Sequence, residues 1–346
     1  MQTASEQPQI FVTGGTGFLG AYLLRDLLAQ GYTRIRALKR KNSPMALVTD
    51  FQDRIEWVEG GLLDFYTIED ALQGVEQLYH CAAIVSYDPR EAGKMLRTNE
   101  EGTANLVNAA LYQKVGRLIH VSSIAAIGRN KSSNTLTERN LWERNEFNTN
   151  YAISKYKSEM QVWRAMAEGL NAAIVNPSII LGSGFWDKGP AAFFKRVWDG
   201  LRFYPPGATG FVDVRDVTRF MIQLMNSDIS NERYILSGTN ESYLNVFTTI
   251  AQALEQPAPS IRANRWMRGL VWRLEWLRTK LSGQRPLITR ETAHSAARTW
   301  YFDNQKSLSV FSDFQYTPIE KTISQTAAQF EQAVQADLAP VLLPQW

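Results

Sequence analysis

The sequence predicts an α/β protein built on a doubly wound parallel sheet, with a smaller, mostly helical lobe contributed by its C-terminal part. Three observations carry that expectation. Short β-branched or apolar runs alternate with longer amphipathic segments through the first 180 residues, the pattern of parallel strands buried on both faces and joined by crossover helices. A glycine-rich turn joins the first run to the first helix, and after Pro177 the alternation gives way to an aromatic stretch and then to mainly helical sequence.

Taken in order, strands are expected at Ile10 to Thr13, Ile35 to Leu38, Ile55 to Val58, Gln77 to His80, Leu118 to Ser122 and Ala173 to Asn176. Between them, Phe18 to Gln30 sets Leu19, Leu23, Leu24, Leu27 and Leu28 at helical spacing and stops at Gly31. Thr67 to Leu72, Glu91 to Tyr112 and Tyr151 to Glu168, closed by Gly169, read the same way. From Gly182 to Gly207 lie Phe185, Trp186, Phe193, Phe194, Trp198, Phe203 and Tyr204, a long insertion of the kind that carries function. Phe211 to Val214 and Tyr234 to Leu236 read as strands that return to the sheet, separated by a helix from near Asp216. The domain reading is a core over residues 1–180, rejoined over about 209–240, and a substrate lobe made of 181–208 and 241–346.

Composition narrows the function classes. With 346 residues, 45% hydrophobic and 21% charged, the chain can bury a large core, and collagenous, coiled-coil and wholly disordered readings are excluded. Against 34 acidic side chains stand 37 basic ones, a balance too even to imply a nucleic-acid partner. A single cysteine, Cys81, and three scattered histidines leave no disulfide and no metal cluster to expect. No apolar run approaches the ~18 residues of a membrane span, and the polar start lacks a leader pattern, so the expected location is the cytoplasm, with no membrane partner.

The first strand runs into Thr13-Gly14-Gly15-Thr16-Gly17-Phe18-Leu19-Gly20 and then directly into a helix. At the first βα junction this is a Rossmann-type dinucleotide turn. Glycines permit the tight turn and the close approach of backbone to pyrophosphate, and the helix N-terminus attracts its charge. Gly14, Thr16, Gly17, Phe18, Leu19 and Gly20 are the candidate contacts. An acidic residue about 20 positions on would bond the ribose hydroxyls of NAD. None is present: the second strand ends in Lys39-Arg40-Lys41, and Lys39 and Arg40 suit a 2′-phosphate, which favours NADP over NAD. A solvated basic loop is the plainer alternative for the same cluster.

Tyr151 and Lys155 are four residues apart at the start of a predicted helix, so phenol and ammonium share a face. A nearby cation favours the phenolate and brings a sluggish acid with a pKa near ~10 toward the working range. The glycine turn, the His80-Cys81-Ala82-Ala83 segment, Asn99, Ser122-Ser123, Tyr151 with Lys155, and Asn176-Pro177-Ser178 together resemble the extended short-chain dehydrogenase/reductase superfamily, within the NAD(P)-dependent epimerase/dehydratase family. The resemblance covers roughly Ile10 to Gly238. It implies that Ser123 hydrogen-bonds the substrate oxygen, with Ser122 as the fallback. It also implies Tyr151 as the acid/base, Lys155 on the nicotinamide ribose and Asn99 in a proton relay. Leu62, Ala82, Ala83 and Pro177 would line the cofactor, and His80 and Cys81 are read as packing residues. Relatives often pair through helices near Asn99 and Tyr151, which implies a possible homodimer.

Two departures bear on specificity. Where the extended branch often carries an adenine-contacting acid, this chain has Gly61, and Asp64 reads as a helix cap. Nucleotide-sugar enzymes usually carry an arginine just before the Phe211-Val212-Asp213-Val214 string, where Ala208-Thr209-Gly210 stand here. The string Gly210 to Val217 is similar to that of dihydroflavonol reductases and 3β-hydroxysteroid dehydrogenases, which implies a small apolar carbonyl or alcohol as substrate. Tyr87, Ser123, Phe185, Trp186 and Phe194 are candidate substrate contacts, although the aromatic rings of the insertion serve equally as lobe core. A nucleotide-sugar epimerase or dehydratase with tightly held NAD, and a non-catalytic NADP(H)-sensing module, are the competing functions. Finally, Ile261 to Leu281 reads as a basic, tryptophan-bearing amphipathic helix: an ordinary lobe helix, a lid over the pocket, or an interfacial helix.

Overall fold

The computed structural model describes residues 7–129, 133–264, 266–267, 272 and 289–345. The chain runs through β1 (Ile10–Thr13), α1 (Phe18–Ala29), β2 (Ile35–Lys39), β3 (Glu56–Glu59), α2 (Phe65–Ala71), β4 (Gln77–His80), α3 (Ala92–Tyr112), β5 (Arg117–Val121), β6 (Thr135–Leu136), α4 (Asn150–Ala167) and β7 (Ala172–Pro177). It continues through β8 (Ile179–Leu181), α5 (Ala192–Trp198), β9 (Phe203–Tyr204), β10 (Ala208–Asp213), α6 (Val214–Met225), β11 (Glu232–Leu236), β12 (Thr239–Ser242) and α7 (Tyr243–Ala253). Short elements and a long helix, Ile319–Gln335, complete it.

The central sheet has seven strands in the order β11-β7-β5-β4-β1-β2-β3, every pair parallel. Its direction of winding reverses at β1, which lies between β2 and β4. A crevice opens at the carboxyl ends of strands where the order reverses, and there Thr13 pairs with His80. The strands are apolar without alternation because both faces are covered: Ile10, Phe11 and Val12 are fully buried, as is all of β7. On one face Leu23, Leu24 and Leu27 of α1 pack with Phe220 and Met221 of α6. On the other, Leu106 and Val107 of α3 and Val162 of α4 form a second core with Ile68 of α2.

Of the two returning strands, β11 rejoins the sheet beside β7, whereas β10 does not. It pairs parallel to β8 and antiparallel to β12 in a separate three-stranded sheet. The reason is that the chain bends at Ser178, immediately after Pro177, and β8 leads away to supply β10 with a partner outside the main sheet.

The aromatic insertion also divides. Trp186 and Phe194 form the core of the second lobe with Val197, Phe211, Phe247, Ile250 and Phe330. At 2% and 0% exposure they cannot wall an open pocket, which corrects their candidacy as substrate contacts. The Trp186 indole donates to the Ala339 carbonyl at 3.1 Å, so even its polar edge is used internally. Phe185 is part-buried and packs toward α1 instead. Ile261–Arg262 is a two-residue strand parallel to β9, so no helix begins at Ile261. The rest of the expected basic helix, to Leu281, lies almost wholly outside the described residues.

Candidate active site

The glycine turn forms a cradle against the chain leaving β4. Gly14 has φ +74°, and a Cβ there would stand 2.7 Å from the Ala82 nitrogen. On Gly20 it would stand 2.1 Å from the Gly14 carbonyl oxygen. Only glycine permits this closeness. Gly17 caps α1 without a side-chain hydrogen bond, so the first-turn N–H groups remain open to an anion. Thr16 and Leu19 are buried beneath the turn, and the Phe18 ring packs edge-on to Tyr22 at 5.5 Å. Ala82 is tied down by its N–H, which donates to Thr13 Oγ1 at 3.2 Å; Ala83 beyond it is exposed. Leu62 is buried against Gly102. Asp64 caps α2, accepting from the Thr67 N–H and hydroxyl at 3.2 and 2.6 Å, which holds its carboxyl below the usual range. A cradle that any Cβ would fill, ending on open helix N–H groups, fits a nicotinamide dinucleotide.

His80 departs from the reading that made it a packing residue. Its ring is fully enclosed, but Nδ1 bonds Thr13 Oγ1 at 2.7 Å and Nε2 bonds Thr103 Oγ1 at 3.0 Å. Burial, with the Lys155 charge adding to it, drives its pKa down to about 3, so the imidazole is neutral and braces the loop under the cradle. Burial raises the Cys81 thiol to about 12. Among the described residues no group of His, Cys, Asp and Glu could hold a metal ion, and no helix is long and apolar enough to cross a membrane.

Tyr151 occupies the first turn of α4, started by Thr149, whose hydroxyl accepts from the Ala152 N–H at 3.0 Å. The two serines that follow β5 have different partners. Ser123 faces the Tyr151 phenol closely enough to lower its pKa, its hydroxyl accepting from the Ala125 N–H at 3.1 Å, while the Ser122 hydroxyl is buried and donates to Glu159 Oε2 at 2.6 Å. Alternation along an extended chain sends neighbouring side chains to opposite faces. Lys155 follows one helical turn after Tyr151, 2% exposed, and its Nζ donates to the Val121 carbonyl at 2.8 Å. Burial lowers its pKa to about 8, opposed by the Glu159 carboxylate. Burial also raises the Tyr151 phenol, with only the Ser123 hydrogen bond opposing it. Desolvation therefore outweighs any influence of the lysine, whose ammonium is turned toward a carbonyl, and the phenol is protonated at neutral pH.

Asn99 is 1% exposed and clamps the segment after β4: its Oδ1 accepts from the Ile84 N–H at 2.8 Å, and its Nδ2 donates to the Ile84 carbonyl and to Ser154 Oγ. That clamp holds the loop bearing Tyr87, whose ring lies 5.7 Å from that of Tyr151. Pro177 ends β7, and Asn176 before it donates to the Ser123 carbonyl at 3.0 Å. The sequence reading missed Glu159, which is 1% exposed and accepts from Ser122, Asn176, Arg233 and Trp163. Its signal was present: it lies four residues after Lys155 on the same helix face.

Residues 10–236 match the NAD dependent epimerase/dehydratase family. The chain belongs to that family. Sterol demethylase protein B of Methylococcus capsulatus is 34% identical over 256 residues, covering 72% of this chain and 76% of that one. A Synechocystis protein named as a dihydroflavonol 4-reductase is 30% identical over 309 residues, covering 86% and 88%. Among solved structures, gox2253 superposes with a TM-score of 0.79 at 27% identity, covering 94% of this chain and 98% of that one. This epimerase/dehydratase-family chain is an enzyme of the extended short-chain dehydrogenase/reductase type, an NAD(P)-dependent oxidoreductase.

Proposed function

We propose that this oxidoreductase uses NADPH to reduce a carbonyl on an apolar small molecule to a secondary alcohol, with Tyr151 as the proton donor. The observation that carries the reading is the pair of hydroxyls, Ser123 facing Tyr151, with Ser123 just past β5 at the strand ends that also form the crevice where Gly14 meets Ala82. Bound in that crevice, the dinucleotide would supply the hydride. Ser123 and Tyr151 would both donate hydrogen bonds to the substrate oxygen, stabilising the negative charge that develops there. Tyr151, protonated at neutral pH, gives its proton to that oxygen. Lys155 holds a positive charge behind the phenol and the nicotinamide ribose, favouring the phenolate that remains. The relatives named above are named for a sterol and for a dihydroflavonol, and Ala208-Thr209-Gly210, with no arginine, stand immediately before Phe211. Both points support an apolar substrate in preference to a nucleotide sugar.

The test is NADPH absorbance followed while apolar ketones, aldehydes and sugar nucleotides are added in turn. Oxidation is expected with ketones; turnover only with sugar nucleotides would overturn the reading. The pH profile adds a check. The Lys155 pKa lies at about 8, so its ammonium is present below that value and lost above it, and turnover should fall on the alkaline side near pH 8. A limb beginning only in the ordinary lysine range would exclude Lys155 as its source.

NADP is favoured because Arg40 is exposed and no carboxylate among the described residues pairs with it. Lys39 is engaged by Glu59 at 3.8 Å, leaving Arg40 as the freer cation at this strand end. Arg40→Ala is expected to weaken NADPH binding by about 1.5–3 kcal/mol, the value of a charge-assisted hydrogen bond, and to leave NADH binding nearly unchanged. Titration of both cofactors checks this, and equal losses would remove Arg40 from phosphate recognition.

A further inference from the structure

Across the Tyr87 ring from Tyr151 lies a cation that the proposed reaction does not use. Arg129 follows the β5 loop at Gly128, where a Cβ would collide with the Leu141 carbonyl. Its own carbonyl accepts from Asn145 Nδ2 at 2.7 Å, so the backbone under it is held from two sides. The side chain is part-buried, yet no carboxylate among the described residues pairs with it, and its Nε is sealed from solvent without a hydrogen-bond partner. Among the described residues its one side-chain hydrogen bond is a long one, Nη2 to the Ile124 carbonyl at 3.5 Å. Its guanidinium stands 6.0 Å from the Trp300 ring, Trp300 packs edge-on to Phe147 at 5.4 Å, and the guanidinium of Arg298 sits 4.0 Å over Phe147.

Two arginines thus flank one aromatic pair, and among the described residues neither is paired with a carboxylate. Burial and the Arg298 charge together bring the Arg129 pKa down to about 10, with the Tyr87 phenol opposing. Tyr87 connects this cation to the reaction centre, since its ring touches that of Tyr151. A part-buried guanidinium with an unused Nε–H, repelled by a like charge, is destabilised unless an anion arrives from outside. A planar carboxylate matches the guanidinium edge with two parallel hydrogen bonds. The aromatic walls suit the apolar body to which such a carboxylate would be attached. The phosphates of the cofactor have a place of their own at the glycine turn and the end of β2.

We propose that Arg129, supported by Arg298, binds a carboxylate carried by the substrate, so that the preferred substrates are apolar oxo or hydroxy acids. This rests on the carbonyl-reduction reading but is separable from it by experiment.

The probes are 2-naphthoate and its uncharged counterpart 2-naphthamide, titrated onto the full chain saturated with NADP by following tryptophan fluorescence. The acid is expected to bind on the order of ten-fold more tightly than the amide. That preference should vanish in Arg129→Met and be only partly kept in Arg129→Lys, with NADPH binding retained in both. Equal affinity for acid and amide in the wild-type chain overturns the proposal without recourse to any variant, as does a preference that survives Arg129→Met. Tighter binding of 2-naphthyl phosphate than of the acid also overturns it, in favour of a phosphate subsite. An acid preference in a protein that reduces no ketone would uphold the subsite and sink the reductase reading. Ketone reduction without an acid preference would do the reverse.

Discussion

Tyr151→Phe is expected to lower kcat by roughly 10²- to 10⁴-fold, the usual contribution of a positioned acid, while the NADPH dissociation constant stays within about three-fold. The substitution removes one oxygen from a part-buried ring. The packing against Tyr87 at 5.7 Å, the Thr149 cap and the buried Lys155 contact to Val121 all remain. What is lost is the phenol proposed as the proton donor, which Ser123 faces. Parallel measurement of turnover and cofactor titration separates the chemical role from a structural one. Near-native kcat would transfer the proton to another group, and an equal loss of cofactor affinity would indicate a collapsed site.

Arg215→Leu is expected to produce the largest loss of stability, about 3–5 kcal/mol, because it strands a buried carboxylate. The side chains of Arg215 and Asp213 are 2% and 0% exposed and meet at 2.6 Å. Asp213 also accepts from the Arg215 N–H and from Thr322 Oγ1, while Arg215 reaches the Pro344 carbonyl and Gln325. The pair therefore joins β10, the long C-terminal helix and the chain end in one buried cluster. Thermal unfolding of the single variant and of Arg215→Leu with Asp213→Asn checks the cause. The double variant should recover part of the loss, since the asparagine leaves no unpaired charge. A single-variant loss within about 0.5 kcal/mol of zero, as at a plain surface site, would contradict the burial argument.

How much of the molecule was legible follows from the range over which each feature is encoded. The strands of the main sheet could be read because parallel strands covered on both faces are continuous apolar runs, as Ala172–Pro177 is. The cradle could be read because a backbone at φ +74° in contact with Ala82 requires glycine at residue 14, whatever surrounds it. Tyr151 and Lys155 could be read as one face of α4 because helical spacing is local. Other features depended on partners distant in sequence. Trp186 and Phe194 are core rings because Phe330 and Phe247 cover them, and the pairing of β10 with β8 is settled by the bend after Pro177. Periodicity carries no information about either.

By itself, then, the sequence determined the winding of the sheet, the glycine turn at its first βα junction and the placing of Tyr151 and Lys155 on one helix face, because each is encoded by residues within a few positions of one another. Only the tertiary structure decided that Ser123 and not Ser122 meets the phenol, that Lys155 faces Val121, and that His80 is a braced neutral imidazole. It also decided that Arg129 has no carboxylate partner among the described residues. The physical reason is common to all four: a polar group in a low-dielectric interior takes its charge state and direction from the partners folding brings within hydrogen-bond reach, and those partners lie tens of residues away in the chain.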